Sequence, residues 1–147
     1  MRVLIDADGC PVVKIAVDRA KRHNIPVTLV CDSAHLFDIA DVETITVTKG
    51  ADSSDFRLVN LLQSGDVVVT QDYGLAAMAL ARRAHVLNQN GLIYTDENID
   101  SLLLARHTSR KLRNAGVRMK GPSKRTKEQD EAFLASFEEL LNRRNSN

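Results

Sequence analysis

The sequence predicts an α/β domain of three layers: a mainly parallel sheet, helices on both faces, and a C-terminal amphipathic helix. Three observations carry this. Apolar runs recur at Val3-Leu4-Ile5, Val27–Cys31 and Val67-Val68-Val69, and residues at helical spacing follow the first and the last. The last run has no polar face, as expected of a central parallel strand covered on both sides. Finally, 147 residues with 44% hydrophobic and 27% charged content fit one domain, 1–147, with a core of its own.

The elements follow in order. Val3-Leu4-Ile5 reads as a buried strand, with Asp6 and Asp8 appearing as it ends. Gly9 permits a sharp turn, and Pro11 suits the first turn of a helix, where its missing N–H costs nothing. Val12, Val13, Ala16, Val17 and Ala20 form that helix's apolar stripe, which ends near His23-Asn24-Ile25-Pro26. A strand over Val27–Cys31 leads into a polar connection from Asp32, with a helical turn through Phe37. A third strand spans Glu43–Thr48. After Lys49-Gly50-Ala51, Asp52-Ser53-Ser54-Asp55 starts a helix with Phe56, Val59 and Leu62 inward, widened by Leu58 and Leu61. Ser64-Gly65-Asp66 turns into the strand Val67–Thr70, and Tyr73–Arg83 is helical by propensity. A short strand at His85–Leu87 and an extended Leu92-Ile93-Tyr94 precede a helix capped at Thr95-Asp96-Glu97, with Ile99, Leu102, Leu103 and Leu104 inward. The alternation predicts a parallel sheet with helices on both faces. Thr126-Lys127-Glu128-Gln129 matches a capping box, and Phe133, Leu134, Phe137, Leu140 and Leu141 make the terminal helix, 128–144, amphipathic.

Charge is unevenly distributed. Residues 1–100 hold nine Lys/Arg against fourteen Asp/Glu, whereas residues 101–127 hold nine Lys/Arg and no acid. A solvated face normally mixes signs, so the basic segment 105–127 predicts contact with phosphates through Arg106, Arg110, Lys111, Arg113, Lys120, Lys124 and Arg125. Sparse aromatics argue against stacking on several bases. The absence of a leader pattern and of a membrane-length apolar run, with Cys10 and Cys31 in no ligand spacing, leads us to expect a cytoplasmic protein without membrane contact. A homodimer is compatible with the sequence.

Asp6, Asp52 or Asp55, Asp72 and Asp96 share one property: each follows a candidate strand and precedes a candidate helix. In a parallel sheet all would lie at one edge, where ligands bind. Gathered carboxylates repel, and oxygen donors without His or Cys suit Mg²⁺ or Mn²⁺. Capping alone also accounts for Asp52, Asp72 and Asp96. Asp6 is too far from Pro11 to cap that helix. Asp8 is a second ligand, a general acid/base or a turn-former before Gly9. Cys10 is either the helix N-cap, with its thiol pKa lowered by the dipole, or a small buried filler.

The motifs Asp6-Ala7-Asp8-Gly9-Cys10-Pro11-Val12, Lys49-Gly50-Ala51-Asp52-Ser53-Ser54-Asp55, Thr70-Gln71-Asp72-Tyr73-Gly74-Leu75-Ala76, Asn88-Gln89-Asn90-Gly91 and Lys120–Thr126 resemble the YaiI/YqxD family nearly end to end. Their order is similar to that of PIN-like nucleases. The resemblance implies an acid at the first strand end (Asp6), one opening the helix after the central strand (Asp72), one after the next strand (Asp96), and a middle acid from Asp52 or Asp55. A Mg²⁺- or Mn²⁺-dependent nuclease is therefore expected, with metal on Asp6, Asp55 and Asp72. Asp8, Asp52 and Asp96 would assist, and RNA is favoured over DNA. Two alternatives stand: a haloacid-dehalogenase-like phosphatase with Asp6 as nucleophile, and a non-catalytic RNA-binding protein.

Overall fold

A computed structural model describes residues 1–32, 39, 41–47, 53–117 and 124–146, with the backbone alone at 53–55, 145 and 146. The chain runs β1 (Val3–Asp6), α1 (Val13–Arg22), β2 (Val27–Asp32), β3 (Glu43–Val47), α2 (Ser53–Leu61), β4 (Val67–Val69), α3 (Tyr73–Ala81), β5 (His85–Leu87), β6 (Ile93–Tyr94), α4 (Asp96–Asn114) and α5 (Lys127–Asn142), closing on a 3₁₀ turn at Arg143–Ser146. The expected turn through Phe37, the Lys49-Gly50-Ala51 break, Asp52 and Lys120 lie outside the described residues.

One six-stranded sheet has the order β3-β2-β1-β4-β5-β6. From β1 the chain winds outward through β2 to β3, then crosses back to β4 and winds the other way. The crossovers therefore part between β1 and β4, and a crevice opens beyond the carboxyl ends of these two strands. Strands β1 to β5 are parallel and β6 pairs with β5 antiparallel, which makes the sheet mainly parallel, as expected. The reversal at β6 has a local reason. Residues 88–92 are too few for a crossover helix. Asn88 Oδ1 accepts the N–H groups of Asn90 and Leu92, each at 2.9 Å, and folds the chain straight back.

Side chains alternate between two cores, as the pleat requires. Val3, Ile5, Val27, Leu29, Val67 and Val69 pack under α1 and α5. Leu4, Val30, Val68 and Val86 pack under α2, α3 and α4. Two inward assignments fail. Phe56 is 57% exposed, because Leu58 and Leu62 carry the buried face of α2. Leu104 is 66% exposed, because α4 leaves the body after Leu103 and, apart from Ser109, every residue from Leu104 to Val117 is exposed. No helix among the described residues is long and apolar enough to cross a membrane.

The terminal helix meets its expectation. Thr126 Oγ1 accepts the Gln129 N–H and Gln129 Oε1 accepts the Thr126 N–H, a reciprocal capping box. Phe133, Phe137, Leu140 and Leu141 are buried against the sheet. Glu138 ties α5 to α1, accepting from Arg19 Nη1 at 2.8 Å and bonding His23 Nε2. The β5–β6 turn meets α5 backbone to backbone at Gly91, with φ +86°, where an added Cβ would lie 2.4 Å from the Ala132 carbonyl oxygen. Gly91→Ala is accordingly expected to destabilise the fold by roughly 2–4 kcal/mol, read as a lowered urea midpoint.

Candidate active site

Asp6 ends β1 and Thr70 follows β4. Ile5 pairs with Val69, so the two residues are next across the β1–β4 ladder. Thr70 is 1% exposed, and its Oγ1 accepts the Asp72 N–H at 3.0 Å while donating to Asp6 Oδ2 at 2.9 Å. One buried hydroxyl thus couples the first acid to the backbone of the second. Asp72 is the N-cap of α3, its Oδ1 accepting from Gly74 N at 2.8 Å and Leu75 N at 3.2 Å. Capping and cleft lining are therefore combined in one residue rather than being alternatives.

Asp6, Asp8, Gly9, Gln71, Asp72, Tyr73 and Arg106 line a cleft of about 440 Å³. Gln71 Nε2 donates to the Gly9 carbonyl at 2.9 Å, which pins the β1–α1 turn beside the β4–α3 turn. Asp8 Oδ2 accepts the Asp32 N–H at 2.8 Å. Burial pushes the Asp6 carboxyl up to about 6; the Thr70 hydrogen bond opposes this, while the charges of Asp72 and Asp8 add to it. Arg106, from the projecting helix α4, brings Nη1 to 3.6 Å from Asp72 Oδ1.

Thr70→Val is expected to leave the Asp72 N–H and Asp6 Oδ2 without this partner. Stability should fall by about 1–3 kcal/mol in chemical denaturation, and the Asp6 carboxyl should titrate still higher by NMR.

The remaining expected site residues are placed as follows. Asp55 stands in the first turn of α2, which starts beyond the carboxyl end of the parallel strand β3, the same sheet edge as Asp6. Asp96 does not join the cleft. Because β6 runs antiparallel, it delivers Asp96 towards the opposite edge, ten residues and about 15 Å of helix before Arg106. Cys10 is not the N-cap of α1. Val12 holds that position without a side-chain cap, and burial pushes the Cys10 thiol up rather than down.

Arg110, Lys111, Arg113 and Lys124 are exposed. Arg125 has another role than the expected binding of phosphate. Its guanidinium donates to Asp130 Oδ1 at 2.7 Å, Asn90 Oδ1 at 2.7 Å and the Gln89 carbonyl at 2.6 Å, clasping the start of α5 to the β5–β6 turn. Among the described residues no three His, Cys, Asp or Glu groups lie close enough to hold a metal ion by themselves. The residue that sequence reasoning passed over is Thr70. Its signal is a hydroxyl closing an otherwise apolar strand two residues before an acid.

Residues 4–143 match the family model described as "Uncharacterized BCR, YaiI/YqxD family", and the chain belongs to that family. A UPF0178 protein of Exiguobacterium sibiricum is 50% identical over 141 residues, 96% of each chain. Another, from Ruminiclostridium cellulolyticum, is 53% identical over 133 residues, 90% of this chain and 87% of that one. A third, from Clostridium acetobutylicum, is 48% identical over 97% of this chain and 98% of its own. Among solved structures, Rae1 (YacP) from Bacillus subtilis, as a W164L mutant, aligns over 99% of this chain and 97% of that chain at 16% identity. Its TM-score of 0.45 is too low to bear on function.

Proposed function

We propose that this YaiI/YqxD-family chain is a metal-dependent phosphodiesterase acting on nucleic acid, an endonuclease that favours RNA over DNA, on a PIN-like fold. The observation that supports it is the convergence of Asp6, Asp8 and Asp72 in one cleft at the switch point of the sheet, bridged by Thr70 and rimmed by Arg106. The donor set is oxygen alone, which fits Mg²⁺ or Mn²⁺. Asp6 Oδ1 and Asp72 Oδ2 accept no hydrogen bond among the described residues, so both are available to a shared cation. Asp55, on the same edge, is the candidate third ligand. Such a cation, when bound, supplies a positioned water and charge stabilisation for in-line displacement at phosphorus. Arg106, Arg110, Lys111, Arg113 and Lys124 would hold the substrate backbone.

The aspartyl-phosphate alternative needs Asp6 ionised as its nucleophile, just as the metal reading needs it ionised as a ligand, so the surroundings of the cleft decide between them. A projecting cationic helix suits a polymer better than a small phosphoester. The test incubates the protein and Mn²⁺ with single-stranded RNA and DNA, beside Asp6→Asn/Asp72→Asn. Internal cleavage of RNA, stopped by EDTA and lost in the variant, is expected. Equal cleavage by both proteins overturns the assignment. Salt-sensitive binding without Mn²⁺ uptake or turnover would instead favour a non-catalytic RNA-binding protein.

A further inference from the structure

We infer that α4 carries a phosphate subsite, formed by Arg106, His107 and Arg110, which takes the phosphodiester adjoining the one in the acidic cleft. This rests on the phosphodiesterase reading of that cleft. A second cleft of about 250 Å³ is lined by Leu103, Arg106, His107 and Arg110. Spacings of three and four residues place these side chains on one face of α4, Leu103 supplying an apolar wall and the others nitrogen donors. Arg106 lines both clefts and is therefore the partition between them.

Several of the protein's arginines are taken up by acids, and within the patch Arg106 leans on Asp72. Arg2, Arg19, Arg125 and Arg143 are each paired with an acid, namely Asp66, Glu138, Asp130 and Glu139. Arg110 and His107 make no ion pair or hydrogen bond among the described residues, and the sequence supplies no acid from 101 to 127. A donor set of this kind, planar guanidinium groups with an imidazole and no carboxylate, matches the oxygens of a phosphate. A free phosphate or small phosphoester fills one cleft only. A strand carrying consecutive phosphodiesters fills both, with Arg106 between them.

The experiment titrates a fluorescein-labelled single-stranded RNA of roughly ten nucleotides into the full chain, with Ca²⁺ in place of Mn²⁺ so that binding is read without turnover. Anisotropy is followed across a salt series, and inorganic phosphate serves as competitor. His107→Gln/Arg110→Gln is expected to weaken binding about tenfold at about 100 mM salt and to flatten the log–log salt slope by about 0.7 for each phosphate no longer neutralised. The control Lys14→Gln/Arg82→Gln, which removes two positive charges outside α4, should stay within about twofold in the same titration. Inorganic phosphate at the same ionic strength should compete poorly. Failure of the wild type to bind, an unchanged slope in His107→Gln/Arg110→Gln, an equal loss in the control pair, or full displacement by free phosphate each overturns the subsite. RNA binding through α4 with no cleavage in Mn²⁺ overturns the phosphodiesterase reading instead, and with it the pairing to the acidic cleft, while the phosphate contact on α4 stands.

Discussion

Asp6→Asn is expected to abolish most nucleolytic activity while making the protein more stable above about pH 6. The side chain stands half-buried at the carboxyl end of β1, and its carboxyl is pushed up to about 6 by burial, with Asp72 and Asp8 adding repulsion. The folded state therefore holds this proton more tightly than the unfolded chain does. The resulting stabilisation is complete below the ordinary carboxylate value near 3.8 and is lost as pH rises through about 6. At pH 8 the ionised, metal-free carboxylate costs roughly 1–3 kcal/mol, which the amide removes at nearly constant shape. The amide oxygen still accepts from the Thr70 hydroxyl, so the β1–β4 bridge survives. Activity should nevertheless fall by roughly 10²–10³-fold, because a neutral amide cannot supply the charge that a divalent cation and the transition state require. Thermal melts from pH 4 to 8 without metal, paired with RNA cleavage in Mn²⁺, separate the two effects. A variant no more stable than the wild type at pH 8 would show that the carboxylate is solvated and that no buried charge awaits a cation.

Much of this architecture was legible because the informative residues act locally. Val3-Leu4-Ile5 ahead of Asp6, and Val67-Val68-Val69 ahead of Asp72, place two acids at strand ends without reference to the rest of the chain. The Thr126–Gln129 capping box and the stripe from Phe133 to Leu141 are equally self-contained. One failure is local, and the others depend on a partner distant in sequence. The direction of β6 is set by the return turn at residues 88–92, and reversing it moves Asp96 away from the cleft it was expected to join. Helical spacing identifies the face that carries Phe56 or Leu104, but not how far the protein body extends to cover it. Counting cations groups Arg125 with Arg110, although three internal acceptors hold the former and none among the described residues holds the latter. Thr70 gains its importance only from the register that sets it beside Asp6.

The stability of the site depends on the helical layer that holds α5, and Phe137→Ala should show this with a large loss. Phe137 is fully buried, stacks on Phe133 with ring centroids 5.2 Å apart, and belongs to the same apolar cluster as Val3, Ile5 and Leu87. It thus packs in the layer of α1 and α5, where α5 meets α1 and β5. Removing a buried ring forfeits its transfer free energy and leaves a cavity, together about 3–5 kcal/mol. Small domains hold only about 5–15 kcal/mol in total, so a large share of the stability should disappear. The urea midpoint should drop at unchanged slope, because α5 is joined to the body at three further points: Glu138 to α1, Gly91 against Ala132, and Arg125 on the β5–β6 turn. A reduced slope would mean that α5 undocks as a separate unit. Activity per folded molecule should stay near the wild-type value below the melting range, since none of the cleft-lining residues belongs to α5. A loss under about 1 kcal/mol would show that α5 lies on the core rather than within it.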